Sequence, residues 1–302
     1  MLIEGFKGVY PALVSPKDDS GRLSEERTVA LIDHLYEADV HGLYLCGNTG
    51  EGYLMSVDAR KRLAEVAVDA SKGRGKVIVH VGAPAETDAV DLAKHAKSIG
   101  ADGVSSLPPY VQGYAFEEHL AFYTQIAYAA DLPTFVYYIP VITKVEFTLA
   151  EMDQLLEIEG VEGLKFTNHN LYLMEGILNS ATKPHVFNGH DEVFLAGMAM
   201  GAHAGIGTYY NLMPRAFVGI YDAFGKGNLD QGRAHQHTAN ELIRTCQQFR
   251  QNAAVHGILK MQGVDCGDPI RPARPLDAEG MAALKKELQK AGLLEVLGIG
   301  AE

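Results

Sequence analysis

Eight short apolar runs flanked by glycine, each followed by a longer amphipathic stretch, constrain the fold of this 302-residue chain more than any other feature. The runs are Gly8–Leu13, Gly42–Leu45, Val77–Val81, Gly103–Ser106, Thr134–Tyr138, Val161–Phe166, His185–Asn188 and Ala204–Gly207. Strand and helix signals that alternate in this way predict parallel strands with helices packed outside them. Leu31, Leu35 and Ala38 recur at helical spacing, as do Leu63, Val66, Ala67 and Ala70, and then Val90, Ala93 and Lys97. Ser24, Ser56 and Thr148 stand where N-caps belong. Eight such units predict an α/β fold, a (β/α)8 TIM barrel over residues 1–225, with a helical extension over 226–302 that reads as helix near Asn228–Arg250 and Ala278–Ala291. The alternative architecture is a doubly wound open sheet with a helical tail.

In a barrel of this kind, chemistry gathers at the C-terminal ends of the strands and in the loops that follow. Four stretches at those positions carry side chains or turns suited to chemistry. Lys165 ends the sixth run, Val161-Glu162-Gly163-Leu164-Lys165-Phe166. Lysine is seldom buried without a partner, and desolvation lowers its pKa and makes the amine a nucleophile. The structural alternative is a lysine that snorkels to the barrel rim. Tyr137 ends the fifth run, at the matching end of the neighbouring strand, and Pro140 follows and stops that strand. Its phenol is placed to shuttle a proton, unless it only fills the barrel interior.

The second run opens into Cys46-Gly47-Asn48-Thr49-Gly50-Glu51-Gly52. Such a turn aims backbone N–H groups and a hydroxyl at an anion, although the same residues are also ordinary turn chemistry. It matches neither nucleotide-binding glycine pattern. After the seventh run, Asp191 and Glu192 stand where a helix begins, either as helix-dipole charges or as a grip on polyol hydroxyls. No histidine pair has metal-site spacing except His235-x-His237, read as a solvated helix face, so no metal is expected.

A net charge of −12 disfavours nucleic-acid and anionic-membrane partners. Hydrophobic residues at 47% and charged residues at 21% match an ordinary globular core. Cys46, Cys246 and Cys266 show no paired spacing, and the start Met-Leu-Ile-Glu-Gly-Phe-Lys-Gly lacks a signal-peptide pattern. These features together predict a reduced, cytoplasmic protein.

Gly47-Asn48-Thr49-Gly50-Glu51, Tyr137-Tyr138-Ile139-Pro140, Gly163-Leu164-Lys165 and Gly205-Ile206-Gly207 in combination resemble the superfamily of N-acetylneuraminate lyase and dihydrodipicolinate synthase, the class I pyruvate aldolases. The likeness runs from about Phe6 to Arg274 and is nearer the lyase branch. It implies that Lys165 forms an imine with a 2-oxo acid, that Tyr137 handles protons, and that no external cofactor is required. It also implies that Thr49 with the N–H groups of its turn holds the substrate carboxylate, and that Asn48, Gly50 and Gly207 are among the substrate-binding residues. Thr167, Gly189, Asp191, Glu192 and Thr208 then contact a sugar-derived chain. The implied reaction is reversible retro-aldol cleavage of a 2-oxo-3-deoxy sugar acid to pyruvate and an aldehyde, in a homotetramer. Ile142 replaces the arginine of the synthase branch, which disfavours dihydrodipicolinate synthesis.

Three positions depart from the family pattern. Asn48 replaces a hydroxyl residue, Val111 replaces a tyrosine that a neighbouring subunit supplies, and Tyr138 replaces an asparagine. These departures keep open a hydro-lyase that uses the same imine. A sugar-acid sensor without turnover is the remaining alternative.

Overall fold

The computed structural model describes residues 5–300; residues 1–4 and 301–302, the outer ends of the two expected segments, lie outside the described residues. Eight parallel strands form one sheet: β1 Gly8–Pro11, β2 Gly42–Leu45, β3 Lys76–His80, β4 Gly103–Ser106, β5 Thr134–Tyr138, β6 Val161–Phe166, β7 His185–Asn188 and β8 Ala204–Gly207. Their order is β1-β8-β7-β6-β5-β4-β3-β2. The remaining seam between β1 and β2 is joined by a bridge from Ala12 to Tyr44. There the Leu13 N–H donates to the Tyr44 carbonyl at 2.8 Å, and the His41 N–H donates to the Val9 carbonyl at 3.0 Å. The sheet is therefore the wall of a barrel, as the eight-fold pattern predicts. An open doubly wound sheet is excluded, because it would leave β1 and β2 on separate free edges.

Twelve helices surround and extend the wall: α1 Glu25–Tyr36, α2 Val57–Ala70, α3 Glu86–Ser98, α4 Phe116–Ala130, α5 Pro140–Thr143, α6 Leu149–Leu156, α7 Leu171–Leu178, α8 Phe194–Met200, α9 Pro214–Gly225, α10 Leu229–Cys246, α11 Gln251–Met261 and α12 Ala278–Lys290, counted among the described residues. Capping sets several of their starts. Ser24 accepts from the Arg27 N–H, and Ser56 accepts from the Ala59 N–H. Thr148 and Glu151 form a reciprocal capping box. Pro140 does more than stop β5, because it opens the one-turn helix α5. Its fixed φ suits a first helical position, where no N–H is needed. The helical extension also departs from the expected pattern: helix resumes at Gln251 as α11 after a break near Arg250.

Alternation along the strands makes two cores. One lies between the strands and the helix layer, where Leu31, Ile32 and Leu35 of α1 and Leu63 of α2 are fully buried. Each such side chain contributes roughly 2 kcal/mol by leaving water. The other fills the barrel and is largely aromatic: Phe6, Tyr10, Tyr44, Phe135, Tyr137 and Phe187. Phe135 meets Phe187 edge-on at 5.1 Å between ring centres, and Tyr10 meets Phe187 in the same way at 5.5 Å. This interior is a solid floor beneath the mouth. No helix among the described residues is long and apolar enough to cross a membrane.

Candidate active site

Parallel pairing puts Tyr137 of β5 and Lys165 of β6 in register, so an amine and a phenol share one level of the barrel. Lys165 is 4% exposed and does not snorkel to the rim. Its Nζ lies over two ring faces, 4.1 Å from the centre of Tyr137 and 4.4 Å from that of Tyr44. Ring faces attract an ammonium, but burial costs the charge more, and Asp191 only partly restores it. The balance pushes the Lys165 pKa down to about 7. A free amine is therefore abundant at neutral pH.

Tyr44 is the partner that sequence inspection does not single out. Its hydroxyl donates to Ser105 Oγ at 3.2 Å, which fixes the ring beneath the amine. The only sequence signal for it is inward alternation within Gly42-Leu43-Tyr44-Leu45. Burial raises the Tyr137 phenol well above its ordinary pKa, although the Thr167 hydroxyl opposes this. The resting phenol is thus a proton donor. Burial likewise pushes Asp191 up to about 8, against the lowering effect of the Tyr209 backbone N–H, which donates to its Oδ2 at 2.7 Å. Asp191 and Lys165 both titrate near neutrality inside one enclosure.

The turn after β2 is held in a strained shape. Cys46 and Glu51 both adopt left-handed backbone, at φ 56° and 53°. Such residues cost roughly 1–3 kcal/mol each and persist only where their surroundings hold them. Glu51 supplies that hold, being 2% exposed and bonded at both oxygens. Asn252 Nδ2 donates to Oε1 at 3.0 Å, and the Ile270 N–H donates to Oε2 at 2.8 Å. Lys17 Nζ lies 3.8 Å from Oε2. The Ser15 hydroxyl donates to the Gly50 carbonyl at 2.6 Å and pins the turn from below.

With the turn so held, the Thr49 and Thr208 hydroxyls meet at 2.6 Å across the barrel mouth. Two glycines allow the other close approaches. A Cβ on Gly189 would lie 2.0 Å from Thr167 Oγ1, and one on Gly207 would lie 2.2 Å from Asp191 Oδ1. The glycines at these two positions are therefore required by space. The Asp191 and Glu192 carbonyls are clamped from α10, by Gln236 Nε2 at 3.0 Å and Asn240 Nδ2 at 3.1 Å.

Pairwise contacts link these residues: Lys165 lies over Tyr137 and feels the charge of Asp191, Gly189 and Gly207 close on Thr167 and Asp191, and Thr49 meets Thr208, the neighbour of Gly207 in the chain. Asn48 is half-buried beside Thr49, and its carbonyl accepts the Glu51 N–H at 3.0 Å. Glu192 stands at the rim, beside a recess of about 390 Å³ lined by Pro140, Val141, Lys144, Thr167, His169 and His190 among others. Tyr110 packs against the inner core, whereas Val111 next to it points outward at 61% exposure. A larger recess, about 870 Å³, lies elsewhere, behind the turn, and includes Lys17, Arg27 and His256. It holds none of the residues at the Lys165 level.

A (β/α)8 barrel with an enclosed amine beside a phenol at its strand ends is the architecture of a lyase of the aldolase class. The chain belongs to the dihydrodipicolinate synthetase family, whose model matches residues 5–291. It is 33% identical over 288 residues to N-acetylneuraminate lyase 2 of Escherichia coli O6:H1, covering 94% of each chain. It is 32% identical to the N-acetylneuraminate lyase of Rhizobium meliloti, over 93% of this chain and 94% of that protein. Among solved structures, the Ruminococcus gnavus sialic acid aldolase superposes with a TM-score of 0.91 at 27% identity, covering 96% of this chain and 98% of that one. A Clostridium difficile structure in complex with mannosamine gives 0.91 at 30% identity, covering 95% and 99%.

Proposed function

We propose that this chain is a Schiff-base-forming lyase that reversibly cleaves an N-acetylneuraminate-like 2-oxo-3-deoxy sugar acid to pyruvate and an aldehyde. The observation that carries this reading is the buried Lys165 amine, held near neutrality between two aromatic rings. The uncharged amine adds to the C2 carbonyl, and the Tyr137 phenol gives its proton to the departing hydroxyl, so that water leaves behind an iminium and a phenolate. That cation draws electrons from the C3–C4 bond as the C4 hydroxyl loses its proton to Tyr137. Bond cleavage releases the aldehyde and leaves an enamine. Protonation of the enamine at C3 and hydrolysis of the imine return pyruvate and the free amine.

Tyr137 changes role within this cycle. Burial keeps its phenol protonated in the resting site, and a positive charge formed about 4 Å away then favours the phenolate. In this scheme Thr49, Asn48, Gly50 and Gly207 frame the carboxylate, while Thr167, Gly189, Asp191, Glu192 and Thr208 read the polyol tail. The covalent imine needs no cofactor.

Incubation with N-acetylneuraminate should yield pyruvate and a separate aminosugar fragment by mass. A single dehydrated product would instead identify a hydro-lyase. In the same assay kcat/KM should climb through about pH 7, because the ammonium form of Lys165 has no lone pair and is inert below that value. A limb still climbing at pH 9 would mean that burial does not tune this amine.

The homotetramer that the resemblance implies has support in the exposed apolar side chains Val111, Val141 and Ile142 near the mouth and Tyr172 on α7. Sedimentation should then report about four times the chain mass of 32.7 kDa, and a monomeric mass would exclude it. Three free, buried thiols favour a reducing, cytoplasmic setting, which fractionation of the native host would test.

A further inference from the structure

His169, in the loop after β6, and His190, in the loop after β7, are brought together although they are far apart in sequence. Their rings stack at 3.9 Å between centres with planes 19° apart. His169 Nε2 hydrogen-bonds Glu192 Oε1 at 3.0 Å, and His190 Nδ1 lies 3.1 Å from the same oxygen. All three donor atoms fall within 4.8 Å of one another. We propose that His169, His190 and Glu192 form a binding site for a borderline divalent metal ion, of the zinc, cobalt or nickel type, at the rim of the barrel.

The geometry supports this in three ways. A metal held at about 2.0–2.2 Å from nitrogen and oxygen puts adjacent donors roughly 3.0–3.5 Å apart, so the two contacts to Glu192 already have a suitable span. Two imidazoles and one carboxylate match borderline ions, whereas magnesium and calcium favour sets made entirely of oxygen. The backbone around the cluster is also held in place. Asn188 Nδ2 donates to the His190 carbonyl at 2.7 Å, and Asn240 Nδ2 donates to that of Glu192 at 3.1 Å.

Three protein donors leave further coordination positions, and these face the recess that His169 and His190 line together with Lys144 and Glu146. An oxygen ligand such as a hydroxyl or carboxylate can fill them. One consequence rests on the functional reading above: an ion on Glu192 occupies the acceptor offered to the substrate tail.

Co²⁺ titrated into the full-length protein, followed by calorimetry and by its d–d absorption, tests the site directly. One ion per chain should bind. His169→Ala and Glu192→Gln should each weaken binding at least tenfold, while excess Mg²⁺ should not displace the ion. The side chain of His169 is 60% exposed, so its loss leaves the fold intact. The rival ligands are His235 and His237 on α10, so His237→Ala should leave binding unchanged. Binding lost only in His237→Ala, or equal in all variants, would overturn the proposal, as would no saturable binding below millimolar Co²⁺. Lys165→Ala should bind Co²⁺ normally, so a failure of the imine reading and a failure of the metal site remain separable.

Discussion

Lys165→Ala is expected to lose pyruvate release by at least about 10,000-fold, the scale on which removal of a covalent nucleophile is felt. In parallel, incubation with pyruvate and borohydride should add stable mass to the parent at Lys165 and none to the variant. Lys165→Met is the sharper companion, because it preserves side-chain length and apolar contact with the Tyr44 and Tyr137 rings. The buried amine titrates near 7 in the folded chain and near 10.4 when unfolded, so the unfolded chain binds more protons between those values. The amine therefore lowers stability, by an amount that grows as pH falls from 10.4 to 7 and is constant below. Lys165→Met escapes this penalty and should be inactive yet at least as stable as the parent. A variant that is inactive because it unfolds, or one that still turns over substrate, would refute the assignment.

Tyr137→Phe is expected to lower kcat by about 100- to 10,000-fold, the range of a positioned acid–base group, while borohydride trapping at Lys165 persists. Phenylalanine keeps the ring beneath the amine and the edge-on contact with Tyr44, whose ring centre lies 6.0 Å away. Only the hydroxyl group, the proton donor and acceptor, is removed. Loss of trapping together with turnover would instead make Tyr137 a support for the amine. Turnover at the parental rate would pass the proton role to another group, such as Tyr110 or water.

The barrel was largely legible in the chain because its signals are local. Six of the eight strands, β2 and β4 to β8, coincide with their apolar runs to the residue, and Ser24, Ser56 and Thr148 cap α1, α2 and α6 as their types predict. Lys165 and Tyr137 stood out because each breaks the apolar logic of its own strand. The helix α11 after Arg250 was missed because no capping residue stands before Gln251 to mark a new start, and α5 was missed because a proline that ends a strand can equally start a helix. Tyr44 looks like any interior aromatic until the register brings it under the amine. The meeting of His169, His190 and Glu192 depends on two loops that only barrel closure brings together, and no spacing rule within one segment predicts it.

The bonds from Asn252 and Ile270 to Glu51 span 201 and 219 residues of chain. All eight strands are made before either partner exists. During synthesis, a nascent chain that has already closed its barrel still lacks the groups that hold Cys46 and Glu51 in left-handed backbone. Contacts of such separation form late, because loop closure must come first. The finished shape of this turn, which the proposed function uses to frame a carboxylate, thus arrives with the last sixth of the polypeptide, so an incomplete chain released early from the ribosome would carry Lys165 but not the completed turn.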